Sequence, residues 1–397
     1  MNAKSISQTL TRSSRARFNA IKNLRPEVIS RALEAFENGR LGEASRIFEN
    51  IIRRDDLISG LYMKRCKCVA RLSHEIVEKE DSAEARKHAE ALKSFYDSLE
   101  CANFVDQNER GGFRMLVMQM MSAVGFKYSA HKIEFFRSGD SLSAKFTHHP
   151  LWLFENTEGR LRILEREGQL TKGDELLENE WLISCSDGLL SASCIAYMYK
   201  QLALRDWLIY CERNGMPGVK AKTDAFPGSE QWEAACLAAS EFGAEFHAVF
   251  SQGTDMEAID LSSRGTLPYP ELVERTDRML CALWRGGDLS TMSGATRMGS
   301  ASQWYESTLI EEDDAENISG ALHSQVDRQV IKILFGEDAE PLAKVTLKLP
   351  DYETHLAELE VIERLAKLGL KPDPLKIAKR FAFPLAEVNP EEEVTHE

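Results

Sequence analysis

The stretch WRGGDLSTMSGATRMGSAS, residues 284–302, decides how this chain is read. Gly286, Gly287, Gly294 and Gly299 are spaced through it among Ser and Thr, and segments of helical periodicity lie on both sides. A Gly-rich turn ahead of a helix can cradle phosphate, because the first backbone N–H groups and the helix dipole face the anion. A hydroxyl-rich loop between two helices can also be a mobile finger. The P-loop pattern GxxxxGK[ST] needs a lysine, and this stretch has none. A dinucleotide fingerprint needs a strand in front of the loop, whereas YPELVERTDRMLCALW (269–284) has a helical period. The finger reading is favoured.

Behind the loop, SQWYESTLIEEDDAENISGALHSQVDRQVIKILFG (302–336) reads as one long helix. Ile318, Leu322, Val326, Val330 and Ile333 line one face, and Gly336 falls where a C-terminal cap belongs. Gly320 is the expected place for a kink. The EEDDAE run (311–316) follows the helix period, so its carboxylates spread around the axis as a solvated or channel-facing turn and do not converge on a metal. Ahead of the loop, LLSASCIAYMYKQLALRDWLIYCERNG (189–215) carries two apolar stripes and is apolar nearly all round. Such a helix must be covered on several sides, which neighbouring copies in a ring would do. Between the two helices, residues 216–262 read as a small insert: strand 218–223, helix 229–242, strands 246–250 and 256–260.

The N-terminal part is helical. EVISRALEAFENG (27–39) follows Pro26 and ends at Gly39. LGEASRIFENIIRRDDLISGLYMKRCKCVARLSHEIV (41–77) reads as one or two more helices, and Asp81-Ser82-x-Glu84 opens another like a capping box. GGFRMLVMQMMSAVGF (111–126) is a Met-rich core helix. Residues 126–185 switch to short β-prone segments, read as an antiparallel module. His148-His149 within it has no ligand-spaced partner, so no metal is expected there. LAKVTLKLP (342–350) is a strand, and a closing helix pair follows.

Composition narrows the class. The chain has 397 residues, 43% hydrophobic and 28% charged, which suits a soluble globular protein of two or three packing units. The pattern of elements makes its fold class α+β, mainly helical. No apolar run is long enough to span a bilayer, and the N-terminus lacks a secretory apolar region. The eight cysteines form no CxxC pair and read as reduced, buried thiols in a cytosolic setting. The net charge of −14 argues against tight wrapping of nucleic acid but permits a protein that surrounds DNA without gripping it. Residues 1–26 hold six basic residues and no acid, as a disordered terminus or as an arm docking on an acidic neighbour, while the tail from Glu387 holds five Glu and no Lys or Arg. No Ser-His-Asp or Cys-His arrangement is evident, so the chain gives no positive sign of catalysis.

Several segments together resemble the portal proteins of tailed bacteriophages, specifically the Mu-like family of phages and prophages. RDDLISGLYMKRCKCVARL (54–72) is similar to the family's acidic pair before a basic helix. GFKYSAHKIEF (125–135) and HHPLWLFENTEGRLRIL (148–164), with Pro150, Trp152 and Phe154, resemble its β module. YKQLALRDWLIYCERNGMPGVKAK (199–222) is the most specific match, and LPYPELVERTDRMLCALWRGGDLST (267–291) leads into the Gly/Ser loop in the corresponding place. The likeness covers residues 27–381. Arg285, Met292, Arg297 and Met298 depart from a plain Gly/Ser/Thr loop.

The resemblance implies a non-enzymatic ring of about a dozen copies around a DNA channel at one capsid vertex, without cofactor, metal or membrane. It implies a basic arm (1–26), a wing (27–188), a stem helix (189–215), a clip (216–262), a second stem helix (263–284), a tunnel loop (285–300), a long kinked helix (301–336), a wing strand (337–351), and crown helices with an acidic tail (352–397). Loop residues expected at the channel are Arg285, Asp288, Ser290, Thr291, Ser293, Thr296, Arg297 and Ser300. Clip residues expected to meet the terminase large subunit, then head–tail connector or adaptor proteins, are Lys220, Lys222, Asp224, Phe226, Glu230 and Trp232. The ring would also meet major capsid and scaffolding proteins, and non-specifically double-stranded DNA. Its place would be the portal vertex of the virion, and the host cytoplasm during assembly. The alternatives are a helical adaptor or scaffold without a DNA channel, and a hydrolase or nucleotidyltransferase with scattered active-site residues.

Overall fold

A computed structural model describes residues 25–138, 141–169, 171–215, 219–222, 225–233, 247–250, 268–287, 297–348, 362–365 and 367. Three helices open it: α1 (Pro26–Glu37), α2 (Gly42–Arg54) and α3 (Asp56–Ala70). Pro26 sits in the first turn of α1, where its missing N–H costs nothing. Gly39 ends that helix at φ +81°, and a Cβ there would run into the Asn156 carbonyl. Asp55 caps α3 by accepting from the Ile58 N–H at 2.9 Å.

The chain then departs from the purely helical reading of 41–77. SHEIVE folds as strand β1 (Ser73–Glu78). Its partner is β12 (Ala343–Lys348), near the other end of the described chain. A six-residue strand whose neighbour among the described residues is so remote carries little local signal. Helix α4 (Ala83–Ser98) follows, capped by Ser82, which accepts from the Ala85 N–H at 3.0 Å.

Next come β2 (Glu100–Asn103), β3 (Arg110–Gly111), helices α5 (Phe113–Met120) and α6 (Ser122–Phe126), and the long pair β4 (Tyr128–Ser138) and β5 (Ser141–His149). The Met-rich segment is core, with Met120 and Met121 buried. A 3₁₀ turn at Leu151–Leu153 leads to β6 (Phe154–Glu155), β7 (Arg162–Ile163) and β8 (Asp174–Glu175), which form a small separate sheet. Strand β9 (Trp181–Cys185) returns to the main sheet, whose order is β3-β2-β5-β4-β9. Within 126–185 every described strand pairing is antiparallel, as expected. The main sheet as a whole is mixed, because β2, ahead of that module, runs parallel to β5. The helical excursion α5–α6 between β2 and the β4–β5 hairpin provides the crossover that parallel pairing requires.

Helix α7 (Leu190–Gly215) leads to a parallel pair, β10 (Val219–Lys222) and β11 (His247–Phe250). Residues 230–233 between them are helical; the rest of the expected 229–242 helix and the expected 256–260 strand lie outside the described residues. Helix α8 (Pro268–Arg285) precedes the loop, and α9 (Arg297–Leu322) follows it. The helix period runs unbroken through Gly320. The irregularity lies just beyond, in a π turn at His323–Asp327 that joins α9 to α10 (Arg328–Phe335). Gly336 ends α10 at φ +117°.

Chain contacts divide the molecule into two units, 1–347 and 348–397. In the second, the described residues are helical at 362–365 and 367, with Lys367 paired to Glu363 at 2.9 Å. The first holds one continuous apolar core. A chain of edge-on aromatic contacts crosses it: Phe36 to Phe48 (5.5 Å), Phe48 to Phe126 (6.0 Å), Phe126 to Tyr62 (6.5 Å) and Tyr62 to Trp284 (6.0 Å). Cys66, Cys101 and Cys194 are free thiols within the core, and burial pushes each up to about 12.

Two features of this packing predict measurable stability effects. Asp327, in the π turn, is fully buried and accepts from Tyr96 Oη (2.6 Å) and the Val345 N–H (3.0 Å). Asp327→Ala strands both donors and should lower the unfolding free energy by roughly 3 kcal/mol, and Tyr96→Phe by about half that, in urea titrations. His148 and His149 sit on β5 with their imidazoles held down to about 4 by burial, against an ordinary value of 6.5. The unfolded chain therefore takes up protons that the folded one refuses. Stability should be full above pH 6.5 and fall as the pH drops from there toward about 4. Denaturant midpoints across that window check it, and His149→Phe should flatten the slope.

Candidate functional site

The residues before and after the 288–296 segment lie on α8 and α9, and one side chain from α3 binds both. Arg65 puts Nε and Nη2 on the two carboxylate oxygens of Asp314 in α9, at 2.7 and 3.0 Å. Its Nη1 donates to the Trp284 carbonyl in α8 at 3.3 Å. The planar guanidinium serves both partners from one fixed fork. Both side chains are almost wholly buried, 8% and 2% exposed. Burial pushes the Asp314 carboxyl above its ordinary range, although the Arg65 charge beside it pulls the other way.

Trp284 is the second anchor. Its indole is 1% exposed, and its Nε1–H donates to Ser193 Oγ on α7 at 2.9 Å. Gly286 ends α8 at φ +72°, where its N–H reaches the Ala282 carbonyl at 2.8 Å. Arg285, expected in the loop, closes α8 instead and donates to Ser307 Oγ on α9 at 3.1 Å.

A buried lysine ties the two helices that flank the insert. Lys200 on α7 reaches Asp277 on α8 at 2.9 Å, Asp55 at the start of α3 at 3.3 Å, and Asp56 at 3.5 Å. Burial works against its charge, but the Asp277 hydrogen bond and the three carboxylates raise it above its ordinary value.

The remaining part of the long helix is held from two sides. Gln325 accepts from the Ile183 N–H (2.9 Å) and donates to the Ile183 carbonyl (2.8 Å), so an amide occupies the open edge of β9. Ser319 Oγ accepts from the Leu347 N–H at 3.0 Å, joining β12 to α9.

Of the expected channel residues, Asp288, Ser290, Thr291, Ser293 and Thr296 lie outside the described residues. Arg297 and Ser300 fall within the first turn of α9, so the helix begins inside the range expected for the loop. Among the expected clip residues, Lys220 and Lys222 lie on β10, and Asp224 is outside the described residues. Phe226 is 84% exposed, Glu230 is exposed, and Trp232 is half-buried. The acidic run does not converge: Glu312, Asp313 and Glu316 are exposed while Asp314 is buried. Among the described residues no group of His, Cys, Asp or Glu could hold a metal ion, and no helix is long and apolar enough to cross a membrane.

The roles of Arg65, Lys200 and Asp314 were not evident from residue type. Asp314 did carry a signal, since it shares the i, i+4 line of Ile318 and Leu322 and so lies on the apolar face. Arg65 and Lys200 lie within two of the segments that resemble the portal family, 54–72 and 199–222, and both are clamps.

The family model described as the portal protein of Mu bacteriophage matches residues 45–383. The match spans most of the chain, which therefore belongs to that family of phage portal proteins. No curated protein matches the sequence. Among solved structures, the chain is similar to a protein in the neck of an empty gene transfer agent particle computed with C6 symmetry, at 12% identity and a TM-score of 0.49, covering 89% of this chain and 94% of that one. It is also similar to a chain of the virion of the native gene transfer agent particle, at 10% identity and a TM-score of 0.48, with 89% and 94% covered. A third is the HK97-family phage portal protein from Corynebacterium diphtheriae, at 12% identity and a TM-score of 0.40, with 77% and 97% covered.

The clamp predicts a large and non-additive effect. Arg65→Met leaves the Asp314 carboxylate buried without its cation and should cost ~3–5 kcal/mol. Adding Asp314→Leu should recover most of that loss, and a double-mutant cycle by chemical denaturation measures the recovery.

Proposed function

We propose that the protein is the portal of a tailed phage or prophage: a structural, non-catalytic ring at one capsid vertex. Double-stranded DNA passes through it in packaging and ejection, and the terminase and then connector proteins dock on its outer end. The reading assigns the wing to 27–188, the stem to α7 and α8, the clip to 216–262, and the tunnel loop to the residues between α8 and α9. The returning strand β12 belongs to the wing, and the residues beyond it form the crown and tail. Its place is the virion vertex, reached after assembly in the host cytoplasm.

The observation that carries this reading, beside family membership, is the Arg65 clamp on both flanks of the loop. A loop rich in Gly, Ser and Thr can bend and make weak, sequence-independent contacts to phosphate oxygens. To meet a polymer at a set radius it needs rigid ends, and Arg65, Trp284 and Asp314 supply them. Exposed apolar side chains on the stem helices support the ring. Ile195 (43% exposed), Tyr199 (54%) and Leu208 (65%) on α7 and Met279 (59%) on α8 are uncovered in the single chain, and a neighbouring copy would bury them. In this reading Arg285, bonded to Ser307, shapes the base of the loop, and the hydroxyls beyond it meet DNA. An acidic protein with few cations in the channel holds the polymer weakly enough to let it move.

Replacing residues 288–296 by a short Gly-Ser linker is the test. Rings should persist in electron micrographs, while heads should fail to fill or to retain DNA. Normal filling by the variant would remove the channel role.

A further inference from the structure

Helix α3 carries a cationic stripe that no described residue neutralises by an ion pair. Lys64, Lys67 and Arg71 are exposed and spaced i, i+3, i+7, on one side of the α3 axis, with Arg71 just past its last turn. None of the three forms an ion pair among the described residues. Helix α9 carries the opposite: Glu312, Asp313 and Glu316 are exposed, and no cation of the described residues pairs with them. Among the described residues Asp313 accepts from Asn317, at 3.2 Å. Glu312 and Glu316 are like charges one turn apart, an arrangement that weakens a helix unless a cation relieves it.

Their placement is informative. α3 and α9 are joined through Arg65 and Asp314, so those two residues mark the sides on which the helices face each other. With ~100° per residue, Lys64, Lys67 and Arg71 lie ~100–160° round the axis from Arg65. Glu312, Asp313 and Glu316 lie ~100–160° from Asp314. Lys67 and Arg71 therefore turn away from the α3–α9 contact, with Lys64 at its border beside Cys68, and the acidic stripe of α9 turns away from it on its own helix. A ring built from one repeated head-to-tail contact needs two different, complementary faces on each copy.

We propose that the cationic stripe of α3 in one copy docks on the acidic stripe of α9 in the next, an inference that rests on the portal-ring reading. The partner is a second copy of this chain. The contact steers assembly and fixes register, while apolar surface on α7 and α8 supplies more of the buried area. Paired in this way, the stripes turn the clamp that holds the loop into part of the joint between copies.

The test is charge reversal in the full chain, with ring formation read by native mass spectrometry and negative-stain microscopy. Lys64→Glu with Lys67→Glu makes both faces acidic; Glu312→Lys with Glu316→Lys makes both basic. Each variant alone should need at least ~10-fold more protein to form rings. The chain carrying all four substitutions, or an equimolar mixture of the two variants, should restore them. Variants that assemble like the natural chain, or a loss that neither combination rescues, would overturn the docking. Rings that form with α3 reversed but fail to retain DNA would assign that stripe to nucleic acid instead. Ring assembly of the natural chain should also weaken as salt rises, and this holds without any variant; assembly indifferent to salt counts against the proposal. If the natural chain forms no ring at all, the portal reading itself fails, which separates the two outcomes.

Discussion

One guanidinium organises this molecule. Arg65 bonds the carbonyl that ends α8 and the carboxylate buried in α9. Taking both charges out of water is costly, and a buried ion pair of this kind adds little net stability over an apolar substitute. What it adds is placement. An apolar contact tolerates sliding, whereas a two-pronged guanidinium–carboxylate pair fixes distance and angle. The two ends of the Gly/Ser/Thr segment are set by that pair, and Tyr62, one turn before Arg65 on α3, packs edge-on against the Trp284 ring.

The long helix extends the same arrangement away from the loop. Ser319 holds the Leu347 N–H of β12, Gln325 closes the edge of β9, and Asp327 binds Tyr96 of α4 and Val345 of β12. The π turn falls within this run of bonds, not at Gly320. Glycine permits a bend, but it does not create one. Here the irregular turn sits where a fully buried carboxylate and a side-chain amide meet strands on separate elements. Lys200 does the corresponding work at the other end, joining α7, α8 and the start of α3 around one ammonium group.

Much of this was legible in local pattern. The helices on either side of the loop, two strands of the insert and the Met-rich core segment follow from periodicity, proline and glycine placement, and residue type. Of the thiols expected to be buried, Cys66, Cys101, Cys194 and Cys281 are, while Cys68 is half-buried and Cys185 exposed. The family match over residues 45–383 accords with the resemblance read from those segments. Two of the differences share one cause. β1 shows no strand pattern because its partner among the described residues, β12, is remote in sequence. The parallel pairing of β2 with β5 escaped notice for the same reason. Asp314 was read as one of five similar carboxylates, although its alignment with Ile318 and Leu322 set it apart.

The sequence by itself determined the order of the main helices, the apolar faces, the lack of a phosphate-binding signature in the loop, and the family. Those properties depend on residues within a few positions of one another, where helix and strand periods and turn chemistry act. The tertiary structure decided which charges are clamps and which remain on the surface. Arg65 and Lys67 have the same charge and sit two positions apart on one helix, yet one is buried against Asp314 and the other faces outward. Only packing against α8 and α9 separates them, because the free energy of a charge is set by the groups around it in space and not by its neighbours along the chain.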